Sequence, residues 1–128
     1  MNKLLIAALL AVFSTNVLAE WTVVSFGDTH TGYADFSTIR KSDNRVKMWD
    51  LQDFKVVQTG IGKRFLSSVT FTEYDCKEET QRQLTFNWYS KNMGAGDVVY
   101  QSGNIHAEFE PAAPGSYGES FFKLACVK

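Results

Sequence analysis

The chain contains two histidines, His30 and His106, which are its main candidates for acid–base catalysis or metal binding. His106 precedes Glu108 by two residues, so a strand would place this imidazole and carboxylate on one face, as a general base or the start of a metal site needs. Asp28 and His30 flank a threonine in a turn-like segment, where backbone hydrogen bonding explains the aspartate. No other ligand motif lies nearby in sequence. We therefore expect surface pairs, and no catalytic, metal or cofactor site.

A nucleotide site is the next chemistry to weigh, at residues 60–64 (GIGKR). The segment lacks both the four-residue spacer of a phosphate-binding loop and the hydroxyl residue after the lysine that would hold Mg²⁺. We interpret it as a turn with a basic edge. A small hydrolase would need a nucleophile and a base, and the two isolated histidines give that hypothesis little support.

The composition excludes two broad classes of protein. The chain has 128 residues, of which 45% are hydrophobic, 14% aromatic and 21% charged, with a formal net charge of −1. Disordered chains carry fewer large apolar residues and more charge. Nucleic-acid binders normally need a clustered basic surface, which a nearly neutral chain does not supply. A single globular domain with no nucleic-acid partner is expected.

The N-terminal segment has the pattern of a secretory signal peptide. Lys3 precedes an apolar run over residues 4–13, and the stretch ending at Ala19 fits a signal peptidase site. Cleavage is predicted between Ala19 and Glu20, which makes residues 1–19 the signal and 20–128 the mature domain. The apolar run is shorter than the twenty or so residues of a membrane helix. Since no cysteine follows Ala19, we expect no lipid anchor, and a periplasmic or secreted protein.

Cys76 and Cys126 are the only cysteines. In an oxidising compartment an even pair predicts one disulfide. A redox couple or a metal site has less support, because there is no Cys-x-x-Cys and no histidine at ligand spacing.

Short strands separated by turn residues account for most of the mature chain. The sequence around Leu84, Phe86 and Trp88 alternates strictly with polar residues, which is typical of an antiparallel sheet with one buried face. Asp35 could cap a single helical turn. Tyr89 and Tyr100, if exposed on the outer face of the sheet, would suit a protein-binding surface. Strands are predicted at residues 21–26, 32–36, 45–54, 65–74, 81–90, 98–101 and 105–110.

The last segment changes to helical periodicity. Ser116 and Glu119 form a capping-box pattern. Phe121, Phe122, Ala125 and Cys126 then fall on one side of the predicted helix, so Cys126 could tether it to the sheet beside Cys76. The expected fold is therefore α+β, with a C-terminal helix on one face of an antiparallel sheet.

A set of ordered motifs resembles the surface-adhesin protein E family. The resemblance covers nearly all of residues 21–128 and depends on the order and spacing of the motifs together. They are Trp21, YAD at 33–35, STIR at 37–40, VKMW at 46–49, YDC at 74–76, Arg82 and PGSYGE at 114–119.

The resemblance implies a six-stranded antiparallel sheet with the helix held to one face by a Cys76–Cys126 disulfide. It also implies adhesion to host proteins such as vitronectin and laminin, haemin binding and a homodimer. Lys63 and Arg64 match a Lys-Arg pair in the basic, matrix-protein-binding stretch of the adhesin. The spacing selects neither His30 nor His106 as a haem ligand.

Two functional hypotheses follow. The first is an exported, non-enzymatic protein that binds a host matrix or serum protein. The alternative is a soluble periplasmic inhibitor or accessory factor, in which residues 59–64 insert into a partner enzyme's cleft.

Overall fold

The fold is an antiparallel sheet of six main strands with one C-terminal helix. A computed structural model describes residues 19–103 and 106–127. The predicted signal peptide, apart from Ala19, therefore lies outside the described residues, as does Ile105. The strands are β1 Thr22–Phe26, β2 His30–Ser42, β3 Arg45–Gly60, β4 Lys63–Asp75, β5 Thr80–Tyr89, β6 Val98–Gly103 and a two-residue β7 Glu110–Pro111, followed by α1 Tyr117–Val127.

The strands follow one another in chain order across the sheet, from β1 to β6, and every pairing is antiparallel. Such a meander needs only tight turns, which the sequence supplies. Asp43 takes a φ of 54° between β2 and β3, a conformation that aspartate tolerates better than most residues. β7 pairs with β5 beyond the end of β6.

The two faces of the sheet differ in what covers them. Alternate residues of β3 face α1, and we call this side the helix face; it carries Met48 and Asp50. Trp49 and Leu51 point to the other side, the opposite face. A 3₁₀ turn at Asn92–Gly94 folds back over the opposite face and covers Leu51, which is fully buried.

Helix α1 packs on the helix face of the sheet through the apolar side that the sequence predicted. Phe121 and Ala125 are buried against Ala34, Met48 and Tyr74. Ser116 and Glu119 cap the start of the helix as predicted, although the second hydrogen bond differs from that of a capping box: the Ser116 hydroxyl accepts from the Glu119 backbone N–H, and the Glu119 carboxylate accepts from the N–H of Gly115, the residue before Ser116. A disulfide joins Cys76 to Cys126. The predicted fold class and the disulfide tether are confirmed.

Two local predictions were wrong. Asp35 caps no helical turn, because β2 continues through it; its carboxylate instead accepts from the Ser37 backbone N–H within an irregular stretch of the strand. Residues 106–109 form no strand, and only Glu110–Pro111 pair with β5. Pro111 has no N–H to donate, which suits a short edge segment.

The alternation in β5 is interrupted by a bulge. Thr72 pairs with Gln83, whereas Phe71 pairs with Thr85, so Leu84 is an extra residue. Gln83 and Phe86 therefore both point to the helix face. The strict alternation expected from the sequence would have placed them on opposite faces of the sheet.

Candidate functional site

The β3–β4 connection is a two-residue turn at Ile61 and Gly62. Their φ angles are 50° and 70°, the backbone of a type I′ turn, which matches the twist of a hairpin. Gly60 and Lys63 pair directly across it. Glycine accepts this backbone freely, but a β-branched residue at positive φ is unfavourable by about 1–3 kcal/mol. Ile61 is therefore a strained residue at the apex of the hairpin.

A wide bulge separates the end of this hairpin from the rest of the sheet. The pairing passes from Asp53–Ser67 to Gln58–Phe65, so four residues of β3, 54–57, lie opposite one residue of β4. The bulge redirects the strand and leaves Val56 and Val57 exposed. We call residues 55–64 the hairpin tip.

The hairpin tip is both basic and apolar. Val56, Val57 and Ile61 are 64%, 44% and 70% exposed. Lys63 and Arg64 are exposed as well. In the part of the chain that the structure describes, neither forms an ion pair or a side-chain hydrogen bond. Because they are consecutive in a strand, the two basic side chains project to opposite sides of the hairpin.

Tyr89 lines a groove on the opposite face, and no residue of the hairpin tip lines that groove. The groove has a volume of about 590 Å³ and is lined by Trp21, Trp49, Tyr89 and Met93 among others. Trp49 stacks on Phe71 at 4.8 Å between ring centroids. Tyr89 is half-buried there, beside aromatic neighbours that the sequence did not associate with it.

Tyr100 is on the other side of the sheet. It pairs with Trp88, whose register places both on the helix face, and its ring lies 5.0 Å from that of Trp88 and 5.9 Å from that of Phe86. The expectation that Tyr89 and Tyr100 share one exposed face is therefore wrong. Adjacent strands fix the direction of each side chain, and the irregular register between Trp88 and Tyr89 is not visible in the sequence.

A second cleft lies between the helix face, α1 and residues 106–111. Its volume is about 800 Å³, and we call it the Asp50 cleft. Asp50 is only 7% exposed. The Thr72 hydroxyl donates a hydrogen bond of 3.2 Å to its Oδ2, and no basic side chain within the described residues pairs with it. Gln81 carries a buried Oε1 that accepts no hydrogen bond from those residues.

Burial is the main influence on the pKa values of the acidic groups in this cleft. It raises the pKa of Asp50 from its ordinary value of 3.8 to about 7, against the opposing effect of the Thr72 hydrogen bond. The pKa values of Tyr74 and Tyr117 are also raised, first by burial and then by the negative charge of Asp50. The sequence interpretation missed Asp50. The available signal was an acidic residue at the position after Val46 and Met48 in the apolar alternation of β3.

The histidines do not form the pairs considered from the sequence. His106 and Glu108 are exposed and lie outside any strand. His30 is half-buried, with its ring 5.1 Å from that of Tyr117, and its Nδ1 hydrogen-bonds the neighbouring Thr29 hydroxyl at 3.1 Å. Among residues 19–103 and 106–127, no three metal-binding side chains converge. None of the helical segments described there has the length and hydropathy required to cross a bilayer.

Comparison with solved structures shows a known fold. Haemophilus influenzae protein E is similar with a TM-score of 0.61 at 12% identity, covering 88% of each chain. Protein E from non-typeable Haemophilus influenzae gives a TM-score of 0.58 at 12% identity, over 88% of this chain and 79% of that one. A second crystal form of Haemophilus influenzae protein E gives 0.58 at 10% identity, over 81% and 91%.

Sequence comparison gives the family. Among proteins with curated functions, none matches the chain. The profile of surface-adhesin protein E matches residues 21–127, which is essentially the whole described domain. The chain belongs to the surface-adhesin protein E family.

Proposed function

We propose that this protein is exported, processed between Ala19 and Glu20, and acts without chemistry of its own as an adhesin that binds a host matrix or serum protein through the hairpin tip. One observation carries the proposal. An unpaired basic pair, Lys63 and Arg64, lies beside exposed aliphatic side chains at the end of a tightly closed hairpin. Family membership supports the adhesin-like role.

The composition of the tip matches what protein interfaces use. Apolar side chains such as Ile61 supply buried area, while surrounding charges set orientation and association rate. Arg64 can bind a carboxylate through two parallel hydrogen bonds. Because Lys63 and Arg64 project to opposite sides, a partner has to surround the tip to contact both. The nearly neutral net charge of the chain, −1, favours binding by this local patch over attraction by the whole surface.

The proposed ligands are vitronectin and laminin, the host proteins that the family resemblance implies. Residues 20–128 would be passed over each immobilised protein, and dissociation constants measured by surface plasmon resonance at two salt concentrations. We expect Lys63→Ala/Arg64→Ala to weaken binding at least tenfold and to reduce its salt dependence. The control variant Arg40→Ala/Lys41→Ala removes the same charge from an exposed site elsewhere and should bind as the parent does. If the parent domain and both double variants bound each host protein with equal affinity, the assignment of the binding site to the hairpin tip would be refuted.

A soluble periplasmic inhibitor is the second candidate, and the apex of the hairpin favours it. Ile61 is 70% exposed on a two-residue turn, a shape that fits into an enzyme cleft. Cell fractionation separates the candidates. Protein found only in the periplasm, together with a periplasmic enzyme inhibited by the wild type and not by Ile61→Asn, would replace the adhesin proposal. Haemin binding and homodimer formation stay predictions from the resemblance.

A further inference from the structure

The Asp50 cleft contains a buried acid whose negative charge no basic residue of the described chain balances. Asp50 is 7% exposed and accepts one hydrogen bond, from Thr72. A carboxylate held in a protein interior without a cationic partner is unfavourable. The surrounding Thr70, Gln52 and Gln83 side chains, all lining the cleft, are neutral. When Asp50 is ionised, its charge therefore has no cationic partner among the described residues.

Other oxygen atoms in the cleft could also accept hydrogen bonds from a ligand. The buried Oε1 of Gln81 has no donor within the described residues. Glu108 and Glu110, which line the cleft near its exposed edge, make no ion pairs within that same part of the chain. The guanidinium of the lining, that of Arg82, pairs with Glu73 rather than with Asp50, with Nη2 to Oε1 at 2.6 Å, and Glu73 also lies 3.8 Å from Lys47. The cleft consequently has carboxyl groups and hydrogen-bond acceptors both at depth and at the mouth.

We propose that the Asp50 cleft binds a small linear alkyl amine carrying two or more ammonium groups. One ammonium would donate hydrogen bonds to Asp50 and to the Oε1 of Gln81, and another would lie toward Glu108 and Glu110. The alkyl chain would contact the aromatic walls, of which Tyr117 is one. The volume of about 800 Å³ is within the range of small-molecule sites. This site is separate from the hairpin tip, so the amine-binding proposal can be tested independently of the adhesion proposal.

The probes are putrescine and spermidine, titrated into residues 20–128 by calorimetry and by NMR chemical shifts. The uncharged isostere 1,4-butanediol and the dianion succinate are the matched comparisons. We expect binding of the two amines in the micromolar to millimolar range, at least tenfold tighter than the diol, and none of succinate. Absence of amine binding at millimolar concentration, or equal binding of diol and amine, would overturn the proposal.

Asp50→Asn tests the central contact. The amide keeps the shape of the side chain and an acceptor for Thr72 but removes the charge, and we expect amine affinity to fall at least tenfold. Asp97→Asn, an exposed aspartate outside the cleft, should leave affinity unchanged. Glu108→Gln/Glu110→Gln should weaken binding a few-fold at low salt and less at high salt, because exposed charges are screened. Full affinity in Asp50→Asn would overturn the proposal, and circular dichroism would verify that each variant is folded.

The pH dependence provides a readout that a purely structural role for Asp50 would not change. Since an ammonium needs the ionised acid, amine affinity should rise with pH up to about 7 and then level off. The other titratable or charged side chains that face Asp50 or line the cleft are Tyr74, Tyr117, Arg82, His106, Glu108 and Glu110. Of these, His106 is the side chain chosen for the control variant. The rise should persist in His106→Asn and disappear in Asp50→Asn; the reverse pattern would overturn the proposal.

Discussion

The backbone nitrogen of Glu20 donates a hydrogen bond of 3.1 Å to Oδ2 of Asp35. Asp35 is only 3% exposed, and the other oxygen of its carboxylate accepts from the backbone N–H of Ser37 at 3.1 Å. Under the proposed processing, the same nitrogen becomes the terminal ammonium of the mature chain. Cleavage would then convert a hydrogen bond between a neutral donor and this carboxylate into an ion pair that attaches the first residue to β2.

This relationship predicts that maturation stabilises the domain. A chain beginning at Glu20 with a free ammonium should unfold at higher urea concentration than the same chain with its N-terminus acetylated. The N–H already donates to a charged acceptor, and the free ammonium adds a positive charge to the donor, so we expect a difference of about 1 kcal/mol, the scale of an ion pair near the surface. Asp35→Asn should abolish the difference between the two forms. Equal stability of the free and acetylated wild-type chains would contradict the proposed ion pair.

Reduction of the disulfide should cost a large part of the stability. The Cys76–Cys126 bridge closes a loop of 50 residues, for which the entropy of the unfolded chain predicts about 4 kcal/mol. Urea unfolding with and without reductant measures the difference. Cys76→Ser/Cys126→Ser should match the reduced protein and be indifferent to reductant. A change below about 1 kcal/mol would mean that helix packing alone holds α1 in place.

Asp50 should make the domain less stable as pH rises. Its pKa is raised on folding from 3.8 to about 7, so between these values the folded state binds more protons than the unfolded state. The free energy of unfolding therefore falls as pH rises from about 4 to 7, by up to about 4 kcal/mol. Asp50→Asn should remove this decline.

The comparison with Asp50→Asn is needed because other carboxyls act in the opposite direction. Hydrogen bonding to the Gly115 backbone, and then to Lys123, lowers the pKa of Glu119, so its contribution is present above its ordinary pKa and is lost on acidification. Unfolding curves at half-unit pH steps give the difference between variant and wild type. Parallel pH profiles for the two proteins would show that the buried acid does not control this dependence.

Replacing Ile61 should have opposite effects on the stability of the domain and on its affinity for the adhesion ligand. Asn-Gly is the favoured pair for a type I′ turn, so Ile61→Asn relieves the strain of isoleucine at a φ of 50°. We expect the free energy of unfolding to rise by about 1 kcal/mol or more, while affinity for the adhesion ligand falls because the exposed apex loses its apolar side chain.

Thermal unfolding and surface plasmon resonance measure the two effects on the same preparations. Ile61→Val is the matched control, since it keeps a β-branched apolar residue and should alter both quantities little. A variant Ile61→Asn that gains stability and binds with full strength would exclude the apex from the interface.

Local patterns were sufficient for the fold class and for much of the element order. Alternating apolar residues indicated β-strands, and Ser116 with Glu119 predicted the start of the helix that the structure confirms. The sequence underestimated β2, which spans His30–Ser42, because its polar residues near Asp35 resemble a turn. It overestimated the strand at residues 105–110, since a favourable local pattern forms no strand without a neighbour to pair with.

The candidate sites depended more heavily on tertiary structure. The sequence placed Lys63 and Arg64 at a turn, but only the pairing of β3 with β4 shows the bulge that exposes Val56 and Val57 beside them. Tyr89 and Tyr100 were assigned to one face, and the register puts them on opposite faces. A bulge shifts every later side chain by one position, and which strand carries it depends on contacts far away in sequence.

The sequence by itself therefore determined an α+β domain with a disulfide-linked terminal helix, because strand alternation, helix capping and cysteine pairing are local or compositional properties. Only the tertiary structure decided which side chains meet. Asp50 follows Val46 and Met48 in β3 as another position of the same face, yet its burial in the folded domain raises its pKa. Desolvation and charge balance are sums over all neighbours in space, and a linear sequence does not contain those distances.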